Sequence, residues 1–251
     1  MRLFILASCL LFTAWTSAAE RIERHSIPVN PDVRFSLNAH RATTRITTGN
    51  IDSIEMVVTI RHNNEDILDR VDVNLNASPS FVRAAVDYDE PGFRVSFGFI
   101  GFNDYQYPDI HFQITLPEQA SLQYTGHRSR LDIEAPTGRI EVNSHRGSGR
   151  LTQVRNDLEL DTHRGNFEIE VTELHDIDID THRGDINLDI FGAEDFTLVG
   201  ETHRGDVRFI GKNIPVNEHD REQSVNYVEG SGSNFIDIQA HRGDIRIDFR
   251  E

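Results

Sequence analysis

A His-Arg dipeptide, usually followed by Gly, recurs along this chain and constrains its fold more than any other feature. The copies are His40-Arg41, His127-Arg128, His145-Arg146, His163-Arg164, His182-Arg183, His203-Arg204 and His241-Arg242. From His127 onward the steps are 18, 18, 19, 21 and 38 residues, the last being close to two periods of 19. A short, nearly fixed period marks a repeat architecture in which each unit covers its neighbour.

Aligning the repeats on their histidines shows what each unit contains. Four residues after His the side chains are Leu131, Gly149, Phe167, Ile186, Val207 and Ile245, and six after they are Ile133, Leu151, Ile169, Leu188, Phe209 and Ile247. Polar residues such as Asp132, Glu168 and Arg246 lie between them. Five residues before His stand Leu122, Ile140, Leu158, Ile177, Leu198 and Ile236, and three before stand Tyr124, Val142, Leu160, Ile179, Gly200 and Ile238. Alternation with period two is the mark of a strand with one buried face. Each period therefore holds two short strands, and the His-Arg-Gly segment is the turn between them.

One such coil buries roughly five apolar side chains, about 1.5–3 kcal/mol each. Ordering some twenty residues costs about 1–2 kcal/mol apiece. A single coil should not fold alone, and stacking on neighbours supplies the missing burial and backbone pairing. The expected fold is all-β: a β-solenoid of stacked two-strand coils with N-terminal antiparallel strands or hairpins. Residues 120–251 carry the regular coils. A loop insertion is expected at 211–234, where Pro215, the polar stretch from Asn217 to Ser224 and Gly230-Ser231-Gly232 interrupt the pattern.

Residues 33–117 form a less regular part of the same domain. Residues 33–60 fit the columns as a first rung. The runs Arg70–Asn76, Phe81–Tyr88, Phe93–Phe102 and Ile110–Leu116 alternate and read as antiparallel strands or hairpins. No segment has helical periodicity.

Residues 1–19 read as a secretory signal peptide, leaving 20–251 as a single β-strand-repeat domain. Arg2 is the positive start, Leu3 to Trp15 is mostly apolar, and Ser17-Ala18-Ala19 is a small-residue cleavage signal. Cys9 is the sole cysteine, and it leaves with the signal. An exported protein without disulfides must be held by packing and backbone pairing. No transmembrane segment remains after signal removal. The expected location is the periplasm, the cell surface or the medium.

The formal net charge is −16, which disfavours nucleic acid as a partner of the whole surface. Lys212 is the only lysine, so the positive charge is carried by arginine.

The strand Ile110–Leu116 closing on Pro117, then Leu122, then ladders of Gly-Asp-Ile-x-Ile turns resembles the bacterial putative-adhesin family of β-strand-repeat proteins, many of which are known only as a domain of unknown function. Phe35 to Arg41 followed by Ile54–Ile60 fits the start of that domain. The resemblance spans about residues 30–250. It implies a stacked β-strand fold, an exported or envelope-associated protein, and a binding or scaffolding role without catalytic residues. The regular His-Arg pair departs from the generic polar turn that the resemblance implies.

The plainest reading of the His-Arg column is structural: a corner that every rung must turn. Gly147, Gly165, Gly184, Gly205 and Gly243 relax the backbone there, and Ser144, Thr162, Thr181, Thr202 and Ala240 keep the preceding position small. Carboxylates such as Asp161, Asp180, Glu201, Asp185, Asp206 and Asp244 flank the arginines. The functional reading makes His145, Arg146, His163, Arg164, His182, Arg183, His203 and Arg204 a binding stripe. Its expected partner is an anionic glycan or an envelope protein.

No cofactor and no metal site are expected. Each histidine adjoins a cationic arginine, and the spacing lacks a closed-site pattern. Three Arg-Gly-Asp triplets, at 183–185, 204–206 and 242–244, belong to tight turns rather than to protruding loops.

The alternative class is a polysaccharide-cleaving β-helix enzyme. Asp132, Glu134, Glu168, Glu170, Asp178, Asp180 and Asp189 fall on outward positions where a pair could perform acid-base chemistry. Exposed carboxylates on strand faces also serve solubility, and no pair breaks the repeat. Two places do break it: His219-Asp220-Arg221, and the aromatic segment Phe93 to Tyr107, which would form a hairpin core or a strip for stacking on sugars.

Overall fold

The computed structural model describes residues 19–88 and 107–251. The expected signal peptide, apart from Ala19, and the aromatic segment as far as residue 106 lie outside the described residues.

The described chain is all-β apart from one helical turn, α1 (Glu65–Leu68). The strands are β1 (Ala19–Pro28), β2 (Arg34–Gly49), β3 (Ser53–His62), β4 (Val71–Ser78), β5 (Phe81–Tyr88), β6 (Asp109–Pro117), β7 (Ser121–Glu134), β8 (Ile140–Val154) and β9 (Leu158–Thr162). They continue as β10 (Phe167–Val171), β11 (Ile177–Thr181), β12 (Ile186–Phe191), β13 (Phe196–Thr202), β14 (Val207–Ile210), β15 (Asn217–His219), β16 (Glu222–Glu229), β17 (Asn234–Ala240) and β18 (Ile245–Arg250).

The repeats stack in parallel, in register, column on column. Before the corner, Leu122 pairs with Ile140, Ile140 with Leu158 and Leu158 with Ile177. After the corner, Ile133 pairs with Leu151, Leu151 with Ile169 and Ile169 with Leu188. These inward side chains are at most 2 % exposed and form one core.

The corner itself changes along the stack, for a stereochemical reason. Strands β2, β7 and β8 run through it unbroken, whereas later rungs divide into β9/β10, β11/β12, β13/β14 and β17/β18. In the first two rungs the residue after His-Arg is Ala42 or Ser129, which disfavour positive φ, and in the third Gly147 does not adopt it. Gly165, Gly184, Gly205 and Gly243 adopt φ from +143° to +157° and break the strand. A Cβ on Gly184 would lie 1.9 Å from the Gly165 carbonyl oxygen, so the corner also needs glycine for close approach.

The order of the rungs is not the order of the sequence. Strand β11 pairs with β17, and β17 pairs with β13. Likewise β12 pairs with β18, and β18 with β14. The last repeat is thus inserted between the 177–191 and 196–210 rungs. The segment expected as a plain loop makes this possible. Within it, β15 and β16 form an antiparallel pair, and β16 runs antiparallel along β13, covering its outer edge.

At the other end, β2 receives β5 along its first half and β6 along its second, both in parallel. The expected antiparallel elements are present as β4 on β5 and β3 on β6. The first rung is β2 alone. Strand β3, within the stretch 33–60, instead pairs antiparallel with β6 and with β1.

Candidate functional site

The corner residues expected as a stripe do come together. Parallel pairing places Arg41 beside Arg128 and Arg128 beside Arg146. The imidazoles stack: His40 on His127 at 4.9 Å between ring centroids, His127 on His145 at 4.6 Å, His145 on His163 at 4.9 Å and His163 on His182 at 4.9 Å. His182 then stacks on His241 at 4.8 Å and 3° between planes. His203 ends the row, 5.3 Å from His241 and tilted by 44°. The ladder follows the spatial order of the rungs.

His163, His182 and His241 are held below the usual histidine value, first by loss of hydration, then by the neighbouring imidazoles and by the arginines alongside. His127 is lowered by the same causes in the same order.

Of the carboxylates expected to offset the arginines, Asp185 and Asp244 are committed to backbone amides. Asn166 Oδ1 accepts a hydrogen bond from the Asp185 backbone amide, Asp185 Oδ1 from that of Asp244, and Asp244 Oδ1 from that of Asp206, each at 3.0 Å. Each rung's Asn or Asp therefore clips the next rung. Two of the three Arg-Gly-Asp aspartates, Asp185 and Asp244, serve as these clips. Glu201 faces His203 rather than an arginine, at 3.4 Å.

Among the described residues, the ion pairs involve arginines of the sheet faces, such as Arg45–Asp132, Arg150–Glu168 and Arg250–Asp189. None involves Arg128, Arg146, Arg164, Arg183, Arg204 or Arg242. The Nε of Arg146, Arg183 and Arg242 is buried without a hydrogen-bond partner. At the first rung, the Arg41 guanidinium lies 3.5 Å over the Tyr107 ring. Tyr107 in turn meets Tyr88 edge-on at 5.6 Å. One residue of the aromatic segment thus covers the start of the arginine column.

Of the carboxylates weighed for catalysis, Glu168, Glu170 and Asp189 lie together on one outer face, with Glu170 paired to Asp189. Asp132, Glu168 and Asp189 are engaged in the ion pairs above. Asp178 is raised above the ordinary aspartate value by burial first, then by Asp237, Glu159 and Asp180, which line the same outer face. His219 and Asp220 stand at the exposed turn between β15 and β16.

The sequence reading missed Glu222. The ligand atoms of Glu201, His203 and Glu222 lie within 4.8 Å of one another. No spacing along the chain announces this, because it depends on β16 folding back on β13.

A family model for Toastrack DUF4097 matches residues 114–248, more than half of the chain. The chain belongs to the Toastrack DUF4097 family. A putative cell adhesion protein from Clostridium sporogenes ATCC 15579 has a similar fold, with a TM-score of 0.50 and 15% identity over 93% of this chain and 100% of that one. A putative adhesin from Bacteroides fragilis NCTC 9343 aligns over 90% of this chain and 97% of its own at 11% identity, with a TM-score of 0.29. No curated protein matches the chain. The Toastrack match begins within β6 and takes in all the coils from β7 onward, so the His-Arg ladder from His127 to His241 lies inside it. No helix among the described residues is long and apolar enough to cross a membrane.

Proposed function

We propose that this Toastrack protein is an exported, non-enzymatic β-solenoid that binds or scaffolds at the cell envelope, taking an anionic glycan or an acidic envelope protein along its arginine column. The observation that carries this reading is the row of arginines that, among the described residues, have no carboxylate partners, on a body of net charge −16. Guanidinium groups repeating about every 4.8 Å along a parallel stack present a linear array of donors to phosphate or carboxylate groups. The imidazoles beside them add hydrogen-bonding edges.

The apolar run Leu3 to Trp15 followed by Ser17-Ala18-Ala19 supports export. The adhesion role named for the Clostridium sporogenes protein agrees with a binding function.

The test is surface plasmon resonance on immobilised polygalacturonate, with neutral dextran as the control. Binding should weaken with added salt and fall at least tenfold when Arg146, Arg164 and Arg183 are changed to Gln together. Unchanged binding in that variant would overturn the proposal. Reducing-sugar release from the same polymer would support the enzyme class instead.

A further inference from the structure

We propose that Glu201, His203 and Glu222 form a site for one divalent transition-metal ion at the terminal rung of the histidine ladder. The proposal does not depend on the arginine column binding anything.

Three observations place the donors. First, His203 leaves the ladder. The other stacked pairs lie 4.6–4.9 Å apart with planes within 26°, whereas His203 is 5.3 Å from His241 and turned by 44°. Its ring is not held between two imidazoles, because no further parallel rung follows. Second, its Nδ1 is 3.4 Å from Glu201 Oε1, on the same chain segment. Third, the neighbour beyond β13 is the antiparallel β16. Thr202 pairs with Gln223 and Glu201 with Ser224, so Glu222, one residue past the last pair, comes level with His203. Three ligand atoms then fall within 4.8 Å of one another.

The other rungs lack this arrangement. Asp161 and Asp180 occupy the position of Glu201, but His163 and His182 are each stacked on both faces. Only the terminal rung combines a free imidazole face, a longer carboxylate two residues earlier and a carboxylate from a covering hairpin.

The donor set decides the class of ion. One imidazole nitrogen and two carboxylates suit Zn²⁺ or Mn²⁺, whereas Ca²⁺ prefers an all-oxygen shell. Two carboxylates neutralise a dipositive ion, and three protein donors leave room for water. Metal–ligand bonds of about 2.0–2.2 Å require the donors to close in slightly. His203 and Glu201 are 53% and 43% exposed, so their side chains have that freedom. Arg204 and Arg221 adjoin the site in sequence and oppose tight binding.

The experiment is calorimetric titration of the untagged protein with ZnCl₂, MnCl₂ and CaCl₂, with Co²⁺ absorption as an independent reading of the ligand set. One equivalent of Zn²⁺ or Mn²⁺ should bind, with Ca²⁺ at least tenfold weaker. His203→Ala and Glu222→Gln should each weaken binding at least tenfold, whereas His182→Ala in the interior of the ladder should leave it unchanged. Glu222→Gln keeps size and hydrogen bonding, so its effect does not depend on refolding of the hairpin. No binding by any transition ion, or binding lost in His182→Ala and retained in His203→Ala, overturns the proposal.

Discussion

His182 and His241 are 59 residues apart in the chain, yet their rings lie 4.8 Å apart and only 3° from parallel. His203, far nearer to His182 in sequence, sits beyond His241. The last coil has taken the place that sequence order would assign to its predecessor.

That order can be trapped by cross-linking. Asp180 is the pairing partner of Gln239, and Gln239 is the partner of Glu201. Neighbouring strands lie about 4.8 Å apart, within disulfide reach, whereas next-nearest strands lie at about twice that distance, beyond it. A double variant with Asp180→Cys and Gln239→Cys should therefore oxidise to an intramolecular disulfide. The pair Asp180→Cys and Glu201→Cys should not. Mass spectrometry of tryptic peptides reads the outcome, and the reverse pattern would restore sequence order.

The corner glycines should be among the least replaceable residues. At Gly184, φ is +143° and an added Cβ would lie 1.9 Å from the Gly165 oxygen, with no flexible side chain to yield. Gly184→Ala is expected to cost at least about 3 kcal/mol, a strained backbone and a steric clash together. Gly192 also has positive φ, +64°, but nothing lies within 4 Å of its missing Cβ. Gly192→Ala should cost only about 1–2 kcal/mol. Urea unfolding of the two variants measures the difference, and equal losses would remove the close-approach argument.

Acid should loosen the ladder. Loss of hydration first, then the neighbouring imidazoles and arginines, lowers His127, His163, His182 and His241 relative to the unfolded chain, so the unfolded state binds more protons between the folded and unfolded values. The stabilisation is fully present above the unfolded value of about 6.5 and is lost as pH falls through it towards the lower folded value. The thermal midpoint should drop between pH 7.5 and pH 5.5, and less steeply in a His163→Gln, His182→Gln double variant. Identical slopes would show that the imidazoles do not carry the effect.

The Asx clips are separable from charge. Asp185 Oδ1 accepts the Asp244 amide, a role that an asparagine oxygen can also fill, as Asn166 does for Asp185. Asp185→Asn should leave stability nearly unchanged, whereas Asp185→Ala should cost about 1 kcal/mol through the lost hydrogen bond. Denaturant midpoints of the two variants decide this. A loss as large in the Asn variant would indicate that the carboxylate charge matters instead.

Much of the repeating unit is legible in the columns. A pleated strand sends alternate side chains to opposite faces, so Leu158, Leu160, Phe167 and Ile169 announce their own burial before any partner is known. The corner is legible for the same local reason, since Gly165, Gly184 and Gly243 mark backbone that other residues rarely adopt. The N-terminal part is less legible. Ser53–His62 alternates like a rung strand, but alternation does not encode direction, and β3 turned out to run antiparallel against β6 and β1.

The sequence by itself determined the rung: two half-buried strands, a glycine corner, and a His-Arg pair at each turn. Only the tertiary structure decided which rung lies on which. Every coil offers its neighbours nearly the same hydrogen-bonding edges and the same columns, so local patterning leaves their order open. The hairpin of β15 and β16 settles that order by occupying the outer edge of β13. The final coil then pairs with the inner edge of β13, and the same fold-back carries Glu222 level with His203.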